Sequence, residues 1–146
     1  MKKLIILTVI SLIFGVSTAC AGDDRPINVS QLPQKSRQFI EQHFPNEKIA
    51  YAKMERDFLD TNYEVVFTGG SKIEFRKDGE WKEVDCKFAT VPTAIIPKQI
   101  LEFVTTNYEG ASIIEIDRDS RDYEVKLTNG LELTFDLKFN LIEIDD

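Results

Sequence analysis

The sequence predicts an α+β fold built of two tandem units, each one helix followed by a four-stranded antiparallel meander, with both helices on one face of the sheet. Three observations predict it. Residues 63–85 return as residues 123–145, and 8 of the 23 aligned positions are identical, among them Tyr63/Tyr123, Gly70/Gly130 and Phe75/Phe135. Each copy alternates apolar and polar residues at period two and is interrupted by paired turn residues, the mark of antiparallel hairpins. Each is preceded by a stretch whose apolar residues recur at helical spacing. Residues 22–88 then make the first unit and 89–146 the second, and together they form one compact domain. A unit of about sixty residues is marginal alone.

In chain order, residues 1–21 read as a secretory signal peptide. Lys2 and Lys3 precede an apolar run from Leu4 to Val16, and small residues follow. Two endings fit. Ala19-Cys20-Ala21 is a signal-peptidase site, and Cys20 is alternatively the acylated first residue of a lipoprotein. Ser17, where the lipoprotein pattern wants a large aliphatic residue, favours the cut after Ala21. That cut removes two lysines and no acid, taking the net charge from −7 to −9. So acidic a chain, without a basic stripe, argues against nucleic acid as a partner. The mature chain has no transmembrane segment, and the expected location is periplasmic.

Residues 22–30 read as a flexible polar lead-in. Leu32, Phe39, Ile40 and Phe44 form one helical stripe, with Pro33 in the first turn and Pro45 as the stop. Strands follow at 48–56, 63–68, 71–77 and 80–87. Gly69-Gly70 and Asp78-Gly79 read as two-residue hairpin turns. The second helix opens at Ile96-Pro97 and ends near Tyr108. After its first strand this unit is four residues shorter. Asn129-Gly130 is a type I′ signal, and the last strand is 141–145.

Alternation leaves Glu64, Glu74, Glu124, Lys126 and Thr134, with Val66 among them, on the face without helices. Solvation is the plain reading of such a face, and a rigid binding surface is the sharper one. Trp81 reads as core, since Leu141 replaces it in the second copy, or as an interface anchor. Catalytic chemistry finds little to work with. His43 is the only histidine, and Cys86 is the only cysteine after residue 21. A His/Cys metal cluster and a Cys-His or Ser-His-Asp arrangement are therefore not expected. No cofactor is predicted. The turns holding Asp57 and Asp60, and Asp117 through Asp122, could gather oxygens around calcium. Arg118 and Arg121 inside the second, and the lack of an EF-hand glycine, favour plain solvated turns.

Two copies of Leu/Ile-Pro, a short helix ending near an aromatic residue, YEV followed by T-x-G, an aliphatic-x-Phe strand and the stretch DGEWKEVD together resemble the PepSY-like family of small periplasmic proteins. The second copy departs from the turn, reading Lys138-Phe139-Asn140-Leu141. The resemblance implies helices packed on an antiparallel sheet, an architecture similar to the beta-lactamase inhibitory protein. It also implies a role in binding or inhibiting another envelope protein. The expectation is thus an exported non-enzymatic binding module acting through the helix-free face, with a cation- or small-ligand-responsive sensor using the acidic turns as the alternative.

Overall fold

The computed structural model describes residues 22–146. The leader and Cys20 lie outside the described residues. Nine strands form one antiparallel sheet in chain order: β1 (Asp23–Ile27), β2 (Ile49–Arg56), β3 (Thr61–Phe67), β4 (Lys72–Arg76), β5 (Trp81–Asp85), β6 (Ile113–Arg118), β7 (Asp122–Leu127), β8 (Glu132–Asp136) and β9 (Leu141–Asp145). Helix α1 (Gln34–His43) lies in the chain between β1 and β2, and α2 (Lys98–Asn107) between β5 and β6.

The helices are ten residues each, and both start directly after a proline with φ near −52°. That angle is already set for a first helical turn, and the missing N–H is one a helix start leaves unpaired anyway. Each helix turns its apolar stripe onto the sheet. Phe39 meets Phe75 edge-on at 5.7 Å, and Phe103 meets Phe135 edge-on at 5.4 Å. Beneath them runs one row of side chains with no exposed surface, Val65, Ile73, Val84, Ile116, Val125 and Leu133, each opposite the next on adjacent strands. Burial of such a row is the main stabilising contribution of the fold.

The lead-in expectation fails. Residues 23–27 are a strand, β1, paired along its length with β2 from Asp23↔Arg56 to Ile27↔Ala52. Its sequence, DDRPI, has no alternation and contains Pro26, so propensity argued against it. β2 supplies the partner, and an edge strand tolerates proline because one side of its backbone faces no neighbour.

The hairpin turns also differ from expectation. Thr68-Gly69-Gly70 and Thr128-Asn129-Gly130 are three-residue loops, closed by Phe67 N–H to Ser71 C=O and Leu127 N–H to Leu131 C=O. Only the last residue of each has positive φ, near +90°, whereas a type I′ turn needs two such residues. The β4–β5 and β8–β9 loops close by the same bonds. In the last of them Phe139 takes the left-handed position at φ 64°, where glycine stands in the other three.

Strands β5 and β6 join the two halves edge to edge. Arg118 fastens the joint. Its guanidinium stacks 3.9 Å from the centre of the Trp81 ring, its Nε donates to the Trp81 carbonyl at 2.8 Å, and it pairs with Glu80. Trp81 is thereby fixed on the helix side, 8% exposed and 6.4 Å from Phe39. The interface-anchor reading of Trp81 is therefore corrected to a core role. A bulge after Glu74 in the β4–β5 pairing breaks strict alternation along β5.

Candidate functional site

Of the residues singled out on the sequence, Glu64, Val66, Glu74, Glu124, Lys126 and Thr134 stand together on the face opposite the helices. Register shows how. Glu64 is opposite Glu74, Glu74 opposite Glu83, Glu83 opposite Asp117, and Asp117 opposite Glu124, which faces Thr134. Five carboxylates thus form an unbroken row across β3 to β7. In a parallel row Val66 is followed by Lys72, Asp85, Glu115, Lys126 and Glu132. Directly opposed side chains have Cβ atoms about 5 Å apart, and like charges there repel.

Lysines relieve part of that repulsion. Lys53 reaches Glu64 at 3.5 Å, Lys82 reaches Glu74 at 2.9 Å, and Lys72 reaches Glu83 at 3.1 Å. Among the described residues, Asp117 and Glu124 have no such partner. Burial, and then the Glu83 carboxylate beside it, push Asp117 up to about 6. Burial and the neighbouring carboxylates of Asp85 and Glu83 raise Glu115, and burial with Glu132 raises Glu124.

The sequence reading missed Glu83 and Glu115, and it placed Asp117 in an acidic turn, whereas Asp117 stands within β6. Their alternation within WKEVD and IIEIDR was legible. What was not legible is the joining of β5 to β6, which sets Glu83 against Asp117.

These shifts fix a pH dependence. An acid whose folded pKa lies above its unfolded value favours the protonated fold. Its contribution is therefore unfavourable at neutral pH and is relieved as pH falls from about 7 to about 4. Asp117→Asn should raise stability at pH 7.5 by about 1 kcal/mol, after discounting for solvent screening at this half-buried site. It should also flatten the stability profile between pH 7 and 5. Urea titrations at both pH values measure this, and an unchanged or lowered midpoint at pH 7.5 would contradict it.

The acidic turns are closed on themselves. Asp57 Oδ1 accepts from the backbone N–H groups of Leu59 and Asp60, each at 2.9 Å. Asp119 Oδ1 does the same for Arg121 and Asp122, and Arg121 pairs with the other oxygen. Among the described residues, no three His, Cys, Asp or Glu side chains are grouped to hold a metal ion. His43 packs tilted against Phe39, and burial lowers its pKa. His43 and Cys86 both border a cleft of about 190 Å³ beside the end of α1. The thiol is buried, and burial pushes its pKa up, which disfavours the thiolate a nucleophile needs.

Comparisons place this geometry among known proteins. The chain matches, over residues 61–143, a family described as "Putative beta-lactamase-inhibitor-like, PepSY-like". None of the curated proteins matches it. A protein of Bacteroides thetaiotaomicron described as a "putative calcium-regulated periplasmic protein" is 60% identical, with TM-score 0.84 over 85% of this chain and 98% of that one. A Bacteroides vulgatus protein described as a "putative periplasmic protein from DUF2874 family" is 53% identical, with TM-score 0.83 over the same shares. A second, from the same species and described as a "putative periplasmic protein of unknown function", is 37% identical, with TM-score 0.81 over 85% of this chain and 100% of that one.

Proposed function

The chain belongs to the PepSY-like family, and from that membership we propose that it is an exported, non-enzymatic binding module whose helix-free sheet face holds another envelope protein. The observation that carries this reading is the row of five carboxylates from Glu64 to Glu124. Opposed like charges weaken a sheet, and a cationic partner surface offsets that cost. Such a row also steers a positively charged partner during encounter. Residues 1–21 supply the export signal in this reading. Units 22–88 and 89–146 are duplicates of one helix-and-meander element, and the equivalent contacts of Phe39 on Phe75 and Phe103 on Phe135 support the duplication. Duplication doubles the width of the rigid face. Blocking a partner enzyme is the binding role that the family's description favours.

The test is capture from envelope extract on the immobilised exported chain. Reversing Glu64 and Glu124 to lysine should lower recovery of a specific partner about tenfold or more, and raised salt should lower it likewise. Lys126→Glu should leave recovery unchanged or raise it. A partner retained equally by the reversed face would sink the proposal.

A calcium-responsive role is the second reading. It is favoured by the description of the 60%-identical relative as calcium-regulated. Running the same capture in chelator and in millimolar calcium separates the two. Recovery that appears only with calcium, and survives charge reversal, supports the second.

A further inference from the structure

Strand β9 ends the sheet with an edge that no described residue covers. It is last in the strand order, with β8 on one side and no strand on the other. Every residue from Ile142 to Asp145 is exposed. Ile142 is 59% exposed and Ile144 50%, and Leu137, in the turn that leads into β9, is 52%. The opposite edge, β1, is blunted, since Pro26 has no N–H to offer and Arg25 pairs with Asp23 along it. β9 carries no proline and no lysine. Free backbone donors and acceptors on such an edge are a template for another strand.

The duplicate strand shows what fits there. In the repeat β9 corresponds to β5, with Glu143 at the place of Glu83, Ile144 of Val84 and Asp145 of Asp85. The edge of β5 is taken by β6, which runs antiparallel and sets Asp117, Ile116 and Glu115 opposite those three residues. Val84 is thereby left with no exposed surface, whereas Ile144, opposite Leu133 at the end of the buried row, stays half exposed. Glu143 is opposite Thr134 and Asp145 opposite Glu132, so both acidic rows of the helix-free face run out to this edge. Among the described residues, neither carboxylate has a lysine or arginine partner, and both add to the repulsion that raises Glu124. A second copy of the chain meets this edge poorly. Two β9 strands paired antiparallel about Glu143 set the two Glu143 side chains against each other, and a β1 edge brings Asp23, Asp24 and Pro26. Like charges directly opposite one another are unfavourable.

Resting on the reading of the helix-free face as the binding surface, we propose that β9 takes up an extended segment of the envelope partner as a tenth, antiparallel strand of the pattern basic–aliphatic–basic. The aliphatic residue covers Ile144, as Ile116 covers Val84. The basic residues face Glu143 and Asp145, turning into attraction the repulsion that acidic Asp117 and Glu115 meet on β5. Main-chain hydrogen bonds supply affinity in such a pairing, and the alternating side chains supply selectivity.

The probe is a synthetic peptide of alternating lysine and isoleucine, capped at both ends and added to the isotope-labelled exported chain. Hydrogen exchange of the β9 amides that point away from β8, followed by NMR, should slow about tenfold or more. A peptide with the same residues in separate blocks should bind about tenfold or more weakly. Two further peptides are N-methylated, one at every lysine and one at every isoleucine. Only one of them should weaken, because alternate N–H groups of a strand point to opposite edges. Methylation leaves the charge intact, so that loss reports main-chain pairing rather than attraction to the acidic face. Glu143→Lys/Asp145→Lys should remove the slowing. Both residues are exposed, so the unfolding midpoint should hold, and Glu143→Gln/Asp145→Asn repeats the reading should the lysine variant misfold. Glu64→Lys/Glu124→Lys should leave the peptide on β9. In the envelope capture, recovery that is lost with Glu143→Lys/Asp145→Lys but unmoved by reversal at Glu64 and Glu124 supports the strand and sinks the face. Recovery that responds only to Glu64 and Glu124, or β9 amides that exchange as fast with peptide as without, overturns the tenth strand and leaves the face standing. Sedimentation as a dimer, with β9 amides already slow before peptide is added, assigns the edge to a second copy and overturns it too.

Discussion

Phe75→Ala lowers the stability of the fold by about 3–5 kcal/mol, the range for truncating a fully buried phenylalanine. Phe75 has no exposed surface and is the fourth of the five residues of β4. Its ring is held edge-on by Phe39 at 5.7 Å, so truncation removes the sheet's share of the α1 contact as well as its own burial. The walls of the cavity are paired strands, which cannot collapse inward without breaking ladder bonds. Phe135→Ala should cost a comparable amount, since Phe103 meets that ring at 5.4 Å in the same manner. Urea unfolding followed by far-ultraviolet circular dichroism and by Trp81 fluorescence measures both. Because β5 and β6 pair into one sheet, both probes should move together for either variant. A Phe135→Ala variant that loses dichroism while Trp81 stays buried would show two independent units and refute this account. A cost below about 1 kcal/mol would refute the packing argument.

Gly79→Ala carries the second-largest expected loss, about 2–4 kcal/mol, combining backbone strain with a forced contact. Gly79 has φ of +90°, where any side chain is strained. A Cβ there would also lie 2.9 Å from Cβ of Pro33 and 3.0 Å from Cβ of Lys35. Both are first side-chain carbons tied to the start of α1, so rotamer changes cannot clear them. The helix start would have to move, straining the bond from the Ser36 hydroxyl to the Gly79 carbonyl. Gly130→Ala is the control. It has the same φ of +90° but nothing within 4 Å, so it should cost only the strain, about 1–2 kcal/mol. Equal losses at the two glycines would show that the approach of α1 is not tight.

Much of the architecture was readable locally. Pro33 and Pro97 marked the helix starts, and the helical stripes ending at Phe44 and Tyr108 marked their ends. Glu64, Glu74, Glu124, Lys126 and Thr134 were assigned to one face by period-two alternation, and they stand there. Two readings failed, and a third stayed open, for want of a partner. β1 has no strand pattern of its own and exists because β2 pairs with it. Trp81 was ambiguous because a bulge in the β4–β5 pairing breaks the alternation that would assign its side. Asn129-Gly130 suits a two-residue turn, yet the paired strands close around three.

The sequence by itself determined the number and order of the helices, the alternation along the strands, and the acidic balance of the chain. These depend on residues a few positions apart, where propensity, proline geometry and periodicity act. The tertiary structure alone decided that β5 joins β6, that Arg118 locks Trp81 into the core, and that Glu83 meets Asp117 in a continuous carboxylate row. Each of these is a contact between segments tens of residues apart, formed through backbone pairing and burial that leave no periodic trace in either segment alone.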